Sequence, residues 1–387
     1  MADGGDALTV RMIERIAELP AAPWDACAGD DNPFVSHAFL AALEASGSAT
    51  AKTDWAPHHL VAEDAAGCVV GVVPTYLKSH SYGEYVFDHG WADAYGRAGG
   101  RYYPKLQIAV PFTPVPGRRL LCRPDGDVAA TRAALIEALQ TIAERAGLSS
   151  AHATFCSEDE AEAFSAAGWL IRRGFQYHWR NDGYKSFDDF LARLNHSKRK
   201  TIRRERREVA AQGLSVEMLT GAALQPAHWD AFFELYIATS DRKWGSPYLT
   251  REFFHQLGQA MPERVGLVLA HHGERAVGGA LNLIGDDALY GRNWGGRGDY
   301  PFLHFEACYY QAIEFAIGRG LTRVEAGAQG DHKLPRGYLP VPTYSAHWIR
   351  DRGFRKAVAD FLRREGEMIA HEIASLGGYS PFKKTES

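Results

Sequence analysis

Ala276-Val277-Gly278-Gly279-Ala280-Leu281-Asn282-Leu283-Ile284-Gly285-Asp286-Asp287-Ala288-Leu289-Tyr290-Gly291-Arg292-Asn293-Trp294-Gly295-Gly296 opens the stretch that decides the fold. Two apolar runs flank the turn Gly285-Asp286-Asp287, the sequence form of a hairpin. An apolar helix is expected from about His304 to Gly318. A strand from Arg323 to Ala328 follows, then a polar loop through Gln329, Gly330, Asp331, His332 and Lys333, and a last strand from Thr343 to Ile349. Hairpin, helix, strand, loop and strand in that order predict a mixed sheet with a helix on its face, an α/β (α+β) unit. Charged and hydrogen-bonding residues crowd into its two joints.

The first half of the chain repeats the order in weaker letters. Val70-Gly71-Val72-Val73-Pro74 stands where Val277 to Leu281 stands, Phe87-Asp88-His89-Gly90-Trp91 where Tyr290 to Trp294 stands, and His178-Trp179 where His347-Trp348 stands. A repeated β-β-β-α-β-β order predicts two domains of one kind, as does a length of 387 residues. The boundary is placed after residue 212, giving 1–212 and 213–387. Within the first half, Ser36 and Asp127 are expected to cap helices. Tyr82 to Asp88 reads as a strand, His89 to Gly96 as a loop, and Phe187 to Glu208 as one long helix carrying the basic run Lys198 to Arg207.

Composition bounds the partners. Hydrophobic residues make up 46% and charged residues 23% of the chain, with a net charge of -4; these are the values of a globular protein with no global attraction to nucleic acid or anionic lipid. Five scattered cysteines without a Cys-x-x-Cys pair argue against a disulfide framework and a zinc site, and for a reducing compartment. The residues from Met1 to Pro20 do not form a signal peptide, and no apolar run is long enough to span a bilayer. A cytoplasmic location is expected, with no metal and no tightly bound cofactor.

Several stretches resemble one family: Asn32-Pro33-Phe34-Val35-Ser36, Asp88-His89-Gly90-Trp91, Tyr103-Pro104-Lys105-Leu106-Gln107, Ala109-Val110-Pro111-Phe112-Thr113-Pro114, Phe305-Glu306-Ala307-Cys308-Tyr309-Tyr310-Gln311 and Glu325-Ala326-Gly327-Ala328-Gln329-Gly330-Asp331-His332-Lys333. The chain resembles the Fem-like proteins of peptidoglycan biosynthesis or recognition, relatives of the Fem-type aminoacyltransferases, over roughly its whole length. The resemblance implies two tandem domains of the GNAT (acyl-CoA N-acyltransferase) fold. It also implies transfer of an acyl or aminoacyl group to an amine, on a small molecule or an envelope precursor.

Such a reaction needs a base for the amine proton, donors for the developing oxyanion, and an acid for the leaving group. Glu325 and Glu306 are the expected bases, with Arg292 (also the expected partner of Glu306) and His332 as positioning groups. Lys333 and Arg336 are expected to contact anions, and Asp88, His89, Lys105, Gln107, His304, Gln329 and Tyr344 to line the substrate groove. Tyr310 and Tyr344 are candidate acids, and Asp88-His89 a candidate oriented base. Acyl-coenzyme A and aminoacyl-tRNA are the two expected co-substrates. The segment Gly295 to Phe302 lacks the Gln/Arg-x-x-Gly-x-Gly/Ala spacing that cradles a pyrophosphate, and carries Asp299. The basic run, with Arg203, Arg204 and Arg207, is the expected RNA contact. Two further readings stay open: an acetyl-coenzyme A-dependent N-acetyltransferase, and a non-catalytic polysaccharide- or RNA-binding module.

Overall fold

The computed structural model describes residues 8–242, 247–327 and 330–383. The chain forms two compact units, Met1–Gly174 with Pro342–Ala370, and Phe175–Val341 with His371–Ser387. They do not part after residue 212: residues 175–212 belong to the second unit and 342–370 to the first.

In the first unit, β1 (Thr9–Ile13), β3 (His59–Glu63), β4 (Val69–Val73) and β7 (Leu121–Cys122) pair antiparallel in that order. Next to one another lie β2 (Ala56–Pro57), β5 (Thr75–Lys78), β6 (Lys105–Ile108), β8 (Ser150–Cys156) and the Tyr344–Ile349 part of β15 (Leu339–Ile349). Of these pairs only β6 with β8 is parallel. The helices are α1 (Ala21–Ala28), α2 (His37–Ala45), α3 (His89–Arg97), α4 (Val128–Arg145), α5 (Glu158–Ala166) and α12 (Arg352–Gly378), the last belonging here up to Ala370. Ser36 and Asp127 cap α2 and α4 through their side chains, as expected. Leu135, Ile136, Leu139 and Ala143 of α4 pack on Leu106, Ile108, Ala151 and Ala153 of the sheet.

Two expectations fail here. Tyr82 to Asp88 is irregular rather than a strand, and His89 to Gly96 is helix α3 rather than a loop. The cause is tertiary. The buried Lys105 ammonium bonds Ser81, Glu84 and Asp88, so this segment is tied down by side chains instead of a ladder.

The second unit holds β10 (Leu214–Thr220), β11 (Val265–His272), β12 (Arg275–Ile284), β13 (Ala288–Gly296), β14 (Arg323–Glu325) and the end of β9 (Leu170–Arg180), side by side in that order. Only β13 with β14 is parallel. Its helices are α6 (Phe187–Arg193), α7 (His196–Ala211), α8 (Pro226–Arg242), α9 (Arg251–Ala260), α10 (Leu303–Phe305) and α11 (Gln311–Arg319), with a π-helical turn, Glu306–Tyr310, between the last two. Phe187 to Glu208 is thus two helices. Asn195 breaks it by turning extended and accepting a hydrogen bond from the Lys198 amide as the cap of α7. Phe190, Leu191 and Ile202 from α6 and α7 pack with Ile313, Ala316 and Val324, which is why this segment joins the second unit.

The internal repeat is visible in the pairings. Each unit has an antiparallel meander, one parallel pair, and a final antiparallel strand supplied from elsewhere in the chain: Tyr344–Ile349 beside β8, and His178–Arg180 beside β14. Both units are GNAT-like. Among the described residues no helix is long and apolar enough to cross a membrane.

Gly295 explains part of the glycine-rich end of β13. A Cβ there would sit 2.4 Å from the Leu235 carbonyl carbon and 2.5 Å from the Tyr236 amide nitrogen, so α8 packs its backbone directly on the strand. Neighbouring backbone cannot swing away as a side chain can. Gly295→Ala is therefore expected to cost about 2–3 kcal/mol, read as a lowered midpoint of thermal unfolding.

Candidate functional site

Parallel pairing between β13 and β14 covers only Ala288–Tyr290 with Arg323–Glu325. Beyond it β13 runs on without that neighbour. On its other side β13 carries a bulge: Ala280 faces Trp294 and Asn282 faces Gly291, so Arg292 and Asn293 together oppose Leu281. A bulge takes the extra residue out of the ladder and re-aims its backbone. Both events fall in the wall of one hollow of about 90 Å³, lined by Asn282, Arg292, Asn293, Trp294, His304, Cys308 and Tyr309 among others.

Polar groups converge on this hollow. The buried Tyr309 hydroxyl is 2.7 Å from His332 Nε2, and His332 is itself exposed. The His304 ring lies 5.4 Å from that of Tyr309 and 6.0 Å from that of His332. The Asn282 carbonyl oxygen is buried with no hydrogen-bond partner, while its amide donates to Gly266 and Ala280 carbonyls. Burial raises Tyr309 well above the ordinary phenol range, so its hydroxyl keeps its proton. Lys333 is buried, donates to the Gly327 carbonyl at 3.0 Å, and is brought down to about 8 by burial.

Arg292 and His304 line the hollow together, His332 adjoins it through Tyr309, and the two glutamates lie elsewhere. Glu306 accepts from Arg206 at 2.9 and 3.1 Å and from Gln311 at 2.8 Å. Its partner is Arg206, not the expected Arg292, because the π-turn faces α7. Glu325 accepts from Arg323 at 3.0 Å, and His178 lies 3.7 Å from its second oxygen. Strand alternation puts Glu325 on the same side as its register partners Tyr290 and His178. Neither carboxylate lines the hollow. Arg336 is buried against Glu205, Tyr310 and the His332 carbonyl. Tyr310 donates to Glu205, and Tyr344, in the first unit, donates to Glu158. Gln329 lies outside the described residues.

A second hollow, about 660 Å³, runs along α7 and is lined by His196, Arg199, Lys200, Arg203, Arg206 and Arg207 among others. Arg203 also bonds Asp188 at 3.0 Å. Arg204 is not part of it: it pairs with Glu208, and its guanidinium lies over Phe302.

In the first unit, Lys105, Asp88 and Gln107 are all buried. Lys105 Nζ donates to Glu84 at 2.7 Å, Asp88 at 2.6 Å and Ser81 at 2.8 Å. Tyr102 donates to Asp88 at 2.7 Å, and its oxygen is 3.2 Å from His152 Nε2; His152 Nδ1 is 2.7 Å from His347 Nδ1. Gln107 donates to Thr154. The Asp88-His89 pair is no dyad: α3 starts at His89, whose exposed ring packs by Tyr82 and Phe87, while Asp88 turns inward. Burial pushes Glu84 up to about 7 despite Lys105. Burial alone would raise Asp88 as well, but the Lys105 ammonium holds it well below the usual range. Burial keeps both histidines neutral, His152 at about 3 and His347 well below its ordinary value.

Sequence reading missed Tyr309, Arg206, Glu84, His152 and Asn282. One signal was legible: Ser150, His152 and Thr154 alternate along a strand buried on both faces.

Each unit thus sets one parallel pair among antiparallel strands, and in the second the parallel pair parts beside a bulge. A family profile for FemAB-like proteins, described as peptidoglycan biosynthesis/recognition, matches residues 15–384, and the chain belongs to that family. It is thus an acyl- or aminoacyl-transferase. Among solved structures it is similar to FemX, at 12% identity over 91% of this chain and 100% of that one, with a TM-score of 0.55. The C-terminal domain of a putative lysylphosphatidylglycerol synthetase from Agrobacterium fabrum matches at 10% identity, 89% and 96% coverage and a TM-score of 0.54. L-PGS from Bacillus licheniformis matches at 10%, 84% and 93%, with a TM-score of 0.50. At these identities the likeness is one of fold. Comparison with curated proteins returns no match.

Proposed function

We propose that the second unit carries an aminoacyl-transfer centre at the hollow beside the parted strands, acting on the amine of an envelope precursor. The observation that carries this reading is Tyr309, which lines the hollow and whose hydroxyl is bonded to His332 at 2.7 Å. The acyl carbonyl would lie against the bulge. As the amine attacks, its proton passes to the Tyr309 oxygen while Tyr309 hands its own to His332 Nε2. Reversing the relay protonates the departing ester oxygen, so the enzyme ends as it began. Because Tyr309 is held far from ionisation, it works only with His332 behind it.

Two observations favour an aminoacyl-tRNA donor over coenzyme A. The Gly296 and Arg297 amides, which a pyrophosphate cradle would need, are spent on Thr239 and the Val277 carbonyl. The basic hollow along α7 offers several cations to a phosphate chain. A hollow of about 90 Å³ is smaller than the roughly 150 Å³ cavity that takes benzene, so a small acyl group such as glycyl or alanyl fits. An RNA donor places the reaction on the cytoplasmic side.

A donor screen, charged tRNAs against coenzyme A esters, tests this by turnover and thermal shift. The expected result is transfer from tRNAs bearing small residues. In binding titrations across salt, Arg203→Gln with Arg207→Gln should flatten the log K against log salt slope by about 1–2. Arg204→Gln, off the hollow, should change it less. Saturable coenzyme A binding without tRNA binding would favour the N-acetyltransferase reading; ligand binding with no turnover from any donor would favour a binding module.

A further inference from the structure

We propose that Glu205, Arg336 and Tyr310 are positioning residues for His332, an inference that rests on the Tyr309–His332 pair being the proton relay. Arg336 is buried and spends its fork on three partners. Its Nη1 donates to the His332 carbonyl at 2.6 Å, Nη2 to Glu205 at 2.7 Å, and Nε to the Tyr310 hydroxyl oxygen at 2.9 Å. Tyr310 closes the ring by donating to the other Glu205 oxygen. The guanidinium plane lies 3.5 Å from the Phe305 ring centre, so its orientation is fixed from above as well as from the edges.

Arg336 is one of several ties on its segment, beside Lys333, which bonds the Gly330 carbonyl through its amide and the Gly327 carbonyl through its ammonium, both at 3.0 Å. His332 sits in a short helical turn, Asp331–Arg336, between Gly330 at φ 120° and Gly337 at φ 92°, and its ring is exposed. Only its main chain is gripped by Arg336; the ring direction is then set by Tyr309. A ring of two buried charges is a poor source of stability, since apolar residues of similar volume would serve as well or better. Its planar fork is a good source of geometry.

One helix organises both ends of the relay. Glu205 of α7 reaches His332 through Arg336. The next residue, Arg206, grips Glu306 at the start of the π-turn that carries Tyr309. A π-turn inserts one residue into the helical register, so Tyr309 and Tyr310 point to different partners, one to His332 and the other to Glu205. Displacing a proton acceptor by about 1 Å costs on the order of 100-fold in rate. Groups that fix His332 to that tolerance should therefore appear in kcat and not in KM.

The test uses Arg336→Lys, which keeps the charge and loses the fork, Glu205→Gln, and the mild Tyr310→Phe, which removes one hydroxyl from a ring that stays in place. Turnover with the donor found in the screen and histidine NMR of the substrate-free full chain are the two readouts. Arg336→Lys is expected to lower kcat about 30- to 100-fold, and Tyr310→Phe about tenfold, with KM within twofold. The His332 ring signals should shift or broaden in both. Tyr309→Phe combined with Arg336→Lys should lose little more than Tyr309→Phe alone, because the two act through one relay. Variants that only melt earlier, with kcat and the His332 signals as in the wild type, would overturn the proposal. Should the wild type turn over no donor, the relay reading fails. The NMR arm still decides separately whether Arg336 holds His332, and unchanged His332 signals would end the inference. If Arg336→Lys does not fold, Tyr310→Phe decides alone.

Discussion

His332→Gln is expected to lower kcat at least about 100-fold, a loss near 2.7 kcal/mol of transition-state stabilisation, while the melting temperature stays within a degree or two. The two halves of that expectation have separate grounds. His332 is exposed, and its ring bonds Tyr309, so little packing is lost with it. In the proposed relay it accepts the proton that Tyr309 passes on. Tyr309→Phe should lose a similar factor, and the double variant barely more, since a broken relay cannot be broken twice. Glu306→Gln and Glu325→Gln form the contrast. Their carboxylates serve Arg206 and Arg323, away from the hollow, so their cost should fall on stability, roughly 1–3 kcal/mol each, with kcat kept within a fewfold. If instead either glutamine variant abolished turnover in folded protein while His332→Gln remained active, the base would be a glutamate and the relay wrong.

Elements whose residues announce them locally were legible before the structure. The Gly285 to Asp287 turn between apolar runs is the β12–β13 hairpin, and Ser36 and Asp127 cap as their chemistry suggests. The joint after β14 was readable as a polar loop, because His332, Lys333 and Arg336 crowd a glycine-rich stretch. What failed depends on partners far away in sequence. Nothing near Asp88 says that its carboxylate will be taken by Lys105 and that a helix will begin one residue later. Glu306 finds Arg206, one hundred positions away, rather than the nearer Arg292. Which of Tyr309 and Tyr310 faces His332 is set by the π-turn, and no pattern of period 3.6 reports that insertion. The glycines ending β13 lack the spacing of a phosphate loop, and what Gly295 serves, the close approach of α8, is not written in its neighbours.

Between pH 6.5 and 5, Glu84→Gln should lose stability more steeply than the wild type, by about 1.4 kcal/mol per pH unit. Buried groups of the first unit oppose one another in this window. His152 is held at about 3 by burial, and His347 is driven well below its ordinary value by the same cause. As pH falls through 6.5 the unfolded chain takes protons that the folded one refuses, so each histidine costs about 1.4 kcal/mol per pH unit below that point. Glu84 acts in the other direction. Burial raises it to about 7 in the folded protein, against about 4.5 unfolded, so between those values the folded state takes the proton and gains about 1.4 kcal/mol per unit as pH falls. Asp88, held below the usual carboxylate range by Lys105 in spite of its burial, titrates beneath this window and adds nothing to it. Removing the gain by Glu84→Gln, which still offers Lys105 an acceptor, should steepen the loss by about 1.4 kcal/mol per unit. Titrating groups elsewhere in the chain are common to both proteins and cancel in the comparison. Denaturant unfolding at a series of pH values measures both slopes. Equal slopes would mean that Glu84 is already ionised beside Lys105 at pH 6.5, and that the ammonium outweighs the burial of the carboxylate it holds.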